Sequence, residues 1–355
     1  MTTLTHSTYV HGAAVTVSWQ DSSKSLMDLI FAGVTAALAD AHVDMADVDS
    51  VVLAAHDLVD GRSLSSMVTA PAAGAYLRDE IRLSEDGLAA LSLGVARIAA
   101  GESRLTIVAA WGRASEGAFM NTSRAAMDPF LVQPFGLTEL DISALRLSRW
   151  LGEYTGREHQ REAAINARRQ RANANPRALQ QATISHPANF PLKAEEGPKW
   201  ADVVAAVVIG EEESPYRITG VGHSTEMTAI GDRDLLAMPA LLEAASAALG
   251  EAGISLDKID LFEIDGMTLP DEALALEALN LCAPGEGFAH YALSSSINPS
   301  GGSEAGWCYP AMGLVRFTEC YLRVRDGAGG QKHAMAIGTG PVGAQTRTAV
   351  VLGAE

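Results

Sequence analysis

The chain has 355 residues, 26 Lys and Arg against 43 Asp and Glu, a formal net charge of −17 and a pI near 4.9. That acidity opposes sequence-independent attraction to phosphate backbones and anionic lipid, so neither a nucleic-acid nor a membrane partner is expected. Hydrophobic residues make up 48% and aromatics only 6%, which excludes disorder and leaves Ala, Val, Leu and Ile to build the core, as in buried parallel strands and close-packed helices.

In chain order, Met1 to Val10 is too polar for a signal peptide, and no apolar run approaches the roughly 20 residues of a membrane span. Val15 to Ser18 reads as a short strand. Ser25 to Ala41 reads as a helix, with Leu26, Leu29, Ile30, Val34 and Leu38 at helical spacing. The apolar run Val51 to Ala55 predicts a second strand, followed by a loop with His56-Asp57 and Asp60-Gly61-Arg62-Ser63 and a helical stretch to about Leu77. Turn chemistry alone explains the Asp-Gly pair of that loop. Gly87 to Ala100 predicts a helix, and Leu105 to Ala110 and Val203 to Ile209 predict strands.

After residue 215 the order returns. Strands are expected at Arg217 to Val221 and Ile259 to Ile264, and helices at Leu235 to Leu249, Pro270 to Leu281 and Pro310 to Arg325. A Gly-rich turn spans Asn298 to Gly306, and closing strands surround Ala334 to Gly338 and Thr348 to Leu352. The chain therefore reads as two related halves, residues 1–215 and 216–355, each a βαβαβ-type unit. The Gly87 and Pro310 helices lack a polar face, and the strand runs are continuous rather than alternating. Both conditions are met by an α/β architecture of five layers, αβαβα, in which two sheets share a middle layer of helices.

Residues 114–198 stand outside the repeat as an insertion. Within it, Arg157 to Arg177 holds six Arg and two Glu, a local charge of +4 that leaves −21 on the rest. The stretch is either a solvated helix face or a cap that attracts an anionic group, with Arg168 and Arg169 as candidate contacts. Cys282, Cys308 and Cys320 form neither an even framework nor a CxxC pair, which points to a reducing, cytoplasmic setting and to no metal site.

Four segments occur in a telling order: Arg82-Leu83-Ser84-Glu85-Asp86-Gly87-Leu88; Glu158 to Ala178 with Asn175-Pro176-Arg177-Ala178; Phe262-Glu263-Ile264-Asp265-Gly266; and Asn298-Pro299-Ser300-Gly301-Gly302 through Cys308-Tyr309-Pro310. Together they resemble the thiolase superfamily, in particular its sterol-carrier-protein thiolase and lipid-transfer-protein branch. In that likeness Ser84 stands at the acyl-accepting cysteine, Tyr309 at the histidine of Gly-His-Pro, Ala336 at the second cysteine and Asp265 at the His or Asn of the strand-end motif. All four reacting groups are replaced, so condensation through an acyl-cysteine is excluded, and a Ser84 hydroxyl without a His base is a poor nucleophile.

The resemblance implies what remains. Steroid side-chain aldolases of this branch look like thiolases without the cysteines, use tyrosine, cleave a β-hydroxyacyl-CoA thioester and assemble with a small zinc-ribbon/OB-fold DUF35 protein. On that pattern Tyr309, Asp265 and Ser84 are the catalytic candidates. Gly338 and Gly340 would offer backbone N–H groups to an enolate, and Met267, Trp307 and Cys308 would line the substrate site. The helix dipole is expected to lower the Tyr309 phenol's pKa. No cofactor is expected beyond the CoA of the substrate, and a homodimer is implied. Each residue also has a bland reading: Tyr309 as a core aromatic, Asp265 as a helix cap near Leu269, Ser84 as a turn residue, Cys308 as a buried thiol. A competing role is an inactive subunit that scaffolds an active partner.

Overall fold

In the computed structural model, residues 7–21, 23–62, 64–180, 189–327, 330–340 and 343–354 are described. Ser63 of the first loop and the start of the Met1 to Val10 segment lie outside them. The first half runs β1 (Thr8–Ser18), α1 (Leu26–Ala41), β2 (Ser50–Ala54), α2 (Ser66–Ala72), β3 (Asp79–Leu83), α3 (Gly87–Ala99) and β4 (Leu105–Arg113). Then come the inserted helices α4 (Phe119–Ala126), α5 (Glu139–Glu153) and α6 (Gln160–Ala174), and β5 (Asp202–Gly210). The second half runs β6 (Tyr216–Thr225), α7 (Pro239–Ala252), β7 (Leu261–Ile264), α8 (Leu269–Ala278), α9 (Gly287–Leu293), α10 (Met312–Asp326), β8 (His333–Thr339) and β9 (Thr346–Ala354).

The strands are ordered β3-β2-β4-β5-β1-β6-β9-β8-β7. Within β2-β4-β5-β1 the first pairing is parallel and the next two antiparallel, and β7-β8-β9-β6 repeats that sequence of pairings. The duplication seen in element order is thus also a duplication of hydrogen-bond pattern. Among the described residues the two sets of strands pair through Thr8–Ile218 and Tyr9–Arg217 of β1 and β6, so one ladder joins both halves. Helix α1 covers β1 and β5 on one outer face, α7 covers β6 and β9 on the other, and α3 and α10 touch strands of both sets from between. This is the expected αβαβα sandwich.

Burial explains the pattern. All nine residues of β5 are buried, as a strand covered on both faces requires. In α10, twelve of fifteen residues are buried, including Arg316 and Glu319, which looked like polar interruptions in the sequence. Strand β3 was missed because Asp79-Glu80-Ile81-Arg82-Leu83 is a partly exposed edge without an apolar run. Strand β1 begins seven residues before the expected Val15, because its first half alternates buried and half-buried positions.

The middle layer is locked at its N-termini by one residue. Asp86 caps α3, accepting from Leu88 N–H at 2.8 Å, and its other oxygen accepts from Gly313 N–H of α10 at 2.8 Å. In return Gly87 N–H donates to Pro310 O at 2.8 Å. Glycine is required around this carboxyl: a Cβ at Gly313 or Gly338 would overlap Asp86 Oδ2. Asp86→Ala removes caps from two helices at once and leaves two N–H groups buried without a partner. Urea unfolding should show a loss of about 1–3 kcal/mol, with Asp86→Asn losing less.

Candidate active site

Strand β7 ends at Ile264, and the chain leaves the sheet with Asp265 carried at the head of the middle layer. Asp265 is buried, and its backbone N–H donates to Ile337 O of β8 at 2.8 Å. Its Oδ1 accepts from Trp307 Nε1 at 3.1 Å, and its carbonyl accepts from Thr339 Oγ1 at 2.9 Å. Helix α8 is capped by Thr268 in a capping box with Asp271. Asp265 is therefore not the cap, and that bland reading falls.

Asp265 lines a pocket with Met267, Trp307, Tyr309 and Gly340, joined by Phe119 of α4, Glu139, Ser143 and Arg146 of α5, Asp271, Thr339 and Arg347. The space is narrow, about 30 Å³, room for ordered water and little more. Its walls are largely apolar, with a few charged and hydroxyl groups set into them. Arg146 pairs with Asp271, whose carboxylate also accepts from Ser143 Oγ at 2.6 Å. Arg347 donates to Thr339 Oγ1, while its buried Nε has no hydrogen-bond partner among the described residues. Glu139 accepts from Gly343 N–H at 2.5 Å.

Burial sets the proton affinities. Desolvation raises Asp265 to about 6, opposed by the nearby Arg316 charge and the Trp307 hydrogen bond. Glu139 is raised to about 7 by burial, with Gly343 N–H opposing. Burial also lowers Arg347 to about 10.

Tyr309 differs from expectation. Helix α10 starts at Met312, so Tyr309 precedes its cap, Ala311, and the ring is buried against Phe119 with centroids 5.8 Å apart. Burial first, then the carboxylates of Glu85, Asp86 and Glu139, push the phenol well above its ordinary value. These terms outweigh the helix dipole, so Tyr309 is a neutral proton donor at physiological pH. Its hydroxyl donates to Ser84 O at 3.1 Å.

The other candidates are dispersed. Ser84 is exposed and outside the pocket lining, and it contributes only that backbone carbonyl. Cys308 is fully buried and outside the pocket lining, with Sγ beside Gly112, and burial raises its thiol far above normal. Gly338 faces Asp86, and Gly340 N–H already donates to Thr346 O at 3.0 Å, so the cationic and phenolic side chains are the better-placed donors to an anion. His56 to Arg62 lies elsewhere: Asp57 accepts from Ser65 Oγ and Arg82, and Asp60 sits by Trp111 Nε1 at 3.3 Å, which is turn chemistry.

The Arg-rich stretch is a staple and not an anion cap. Arg161 grips Glu196, and Arg168 is buried on Ser303 Oγ and the carbonyls of Glu195 and Gly197. Arg171 donates to the carbonyls of Tyr291, Ser294 and Ile297, Arg177 pairs with Glu319, and Arg157 holds Gly285 O. Arg169 faces solvent on α6, and neither it nor Arg168 lines the pocket.

Sequence reasoning missed Glu139, Ser143 and Arg146, although a signal was present. With Ile142 they fall at i, i+3, i+4 and i+7, one face of a helix. Arg347 had no such mark.

Residues 222–353 match the family model Thiolase C-terminal domain-like. No curated protein matches the chain significantly in sequence. Among solved structures, the Ltp2-ChsH2(DUF35) aldolase is similar with a TM-score of 0.81 and 20% identity, covering 99% of this chain and 98% of that one. Human mitochondrial 3-ketoacyl-CoA thiolase is similar with a TM-score of 0.74 and 18% identity over 99% of both chains. The same enzyme in complex with CoA gives 0.71 and 16%, again over 99% of both. At these identities the structures establish the fold. The protein has the thiolase fold throughout, and over residues 222–353 it carries the sequence pattern of the thiolase C-terminal domain-like family.

Proposed function

We propose that this protein is a thiolase-fold lyase that cleaves a β-hydroxyacyl-CoA thioester, a steroid side-chain ester among the possibilities, by a retro-aldol reaction without an acyl-cysteine. The observation that carries the reading is the meeting of Asp265 and Tyr309 in one buried pocket beside two arginines, with no thiol in its lining. A carboxyl near 6 is ionised at neutral pH and accepts the β-hydroxyl proton. The Cα–Cβ bond then breaks, its electrons pass into the thioester enolate, and a carbonyl product leaves. Arg146 and Arg347 favour the developing negative charge, and Tyr309 or Glu139 returns a proton to Cα. The reaction is redox-neutral and calls for no cofactor in this chain.

Three further parts of the reading rest on resemblance. A DUF35 protein is the expected partner, since the similar Ltp2-ChsH2(DUF35) aldolase carries one in its name. A second copy is expected along the free edge of β3, where Met67, Tyr76 and Leu77 are exposed. The setting is expected to be the cytoplasm; among the described residues no helix is long and apolar enough to cross a membrane. For the dimer, sedimentation should show two copies in wild type and one after Tyr76→Glu with Leu77→Glu.

A second reading, an inactive scaffold for another subunit, is favoured by the narrowness of the cavity. One experiment separates them: the chain, co-purified with a DUF35 partner, is assayed for release of a shorter acyl-CoA from β-hydroxyacyl-CoA thioesters. Turnover that falls about tenfold or more in Tyr309→Phe supports the lyase. Unchanged turnover sinks the tyrosine's role, and no turnover with any thioester leaves the scaffold.

A further inference from the structure

Behind the Phe119 ring lies a second, larger space of about 370 Å³, whose lining shares Phe119 with the first pocket. Trp19, Ala118, Phe119, Met120 and Trp200 line it, with Ser115 and Asn121 at its polar side. In a chain with five Trp among 355 residues, two of them at one cavity is a concentration of flat apolar surface. Trp200 stacks edge-on against Trp307 at 5.3 Å, and Trp307 lines the first pocket. Phe119 belongs to both linings. Its ring sits 5.2 Å from Trp307, 5.8 Å from Trp200 and 5.8 Å from Tyr309, so one phenyl group closes the aromatic wall between the two spaces.

We infer that the Trp19–Met120–Trp200 cavity is the seat for a bulky, ring-bearing apolar portion of the ligand, and that Phe119 is the partition that must swing aside to join it to the first pocket. The inference rests on the lyase reading for its second half only. The first pocket alone, at about 30 Å³, holds no acyl group; joined to its neighbour it has length for a reacting β-carbon at Asp265 and an apolar body beyond Phe119. Aromatic walls favour flat apolar ligands through large contact area at low entropic cost. Phe119 is the first residue of an eight-residue helix whose cap, Ala118, offers no side-chain hydrogen bond, so its ring is held by packing against the neighbouring rings.

The test uses pyrene-1-butyrate, a flat ring system on a short acid chain, titrated into the full-length protein with tryptophan fluorescence as readout. Wild type should bind saturably, and Met120→Glu, which puts a charge in the apolar wall, should weaken binding about tenfold or more with an unchanged melting temperature. Trp19→Phe, which keeps an aromatic wall, should stay within a few-fold of wild type. Absence of saturable binding, or equal binding by Met120→Glu, overturns the seat. For the partition, Phe119→Ala should raise kcat/KM for a polycyclic thioester relative to a short-chain one by about tenfold. An unchanged ratio overturns the partition. Failure of all thioesters with pyrene-1-butyrate binding intact overturns the lyase reading and the partition that rests on it, and leaves the seat standing.

Discussion

Asp265→Asn is expected to lower turnover of a β-hydroxyacyl-CoA thioester by about 10²–10⁴-fold, the range for loss of a positioned general base. The substitution is nearly isosteric and keeps an oxygen for Trp307 Nε1, so the indole stays seated while the proton acceptor is lost. The pH profile gives a sharper readout than the rate alone. A base raised to about 6 is protonated and idle below that pH, so wild-type kcat/KM should rise through pH 6. If Glu139, raised to about 7, supplies the returning proton, activity falls again above that pH. Asp265→Asn should flatten the rising limb, and Glu139→Gln the falling one. A residual rate with the same rising limb in Asp265→Asn would assign that limb to another group.

Arg316→Met is expected to be the most destabilising single change in the middle layer, by about 3–5 kcal/mol in urea unfolding. Arg316 is 1% exposed and lies 3.3 Å from Glu263 Oε2, itself fully buried, and both share the Ser300 hydroxyl. Removing the cation strands a carboxylate in a low-dielectric core. The cost is mostly that of the orphaned charge, so Glu263→Gln with Arg316→Met should recover much of the loss; if the double variant is less stable than the single, the pair contributes net stability by itself. The change reaches the site as well. Arg316 is the main charge holding Asp265 down against burial, so any activity left in Arg316→Met should have its acidic limb shifted to higher pH.

These two sites also mark how much of the molecule was legible. Asp265, Trp307 and Tyr309 were found because the likeness to thiolases orders the motifs along the chain, and they converge because β7 and the start of α10 belong to one half. Arg146 and Glu139 come from the insertion, and nothing local indicates that α5 lays that face over Asp265. Arg168 and its neighbours Arg171 and Arg177 show the converse error. A run of +4 looked like an invitation to an anion, yet side-chain charge says nothing about whether carbonyls and carboxylates of α9, the Gly-rich turn and α10 already consume it. The phenol of Tyr309 was misjudged in the same way: a helix start was visible, but the three carboxylates around it were not.

By itself, the sequence determined the αβαβα plan and marked Ser84, Tyr309, Ala336 and Asp265 as departures from the motifs it resembles, because apolar periodicity and residue identity are local properties. Which polar groups share a pocket, which arginines are spent on internal acceptors and which way each buried proton affinity moves were decided only by the tertiary structure. Those quantities depend on desolvation and on charges brought together from residues as far apart as Asp86 and Asp265, and distance in space is not written in distance along the chain.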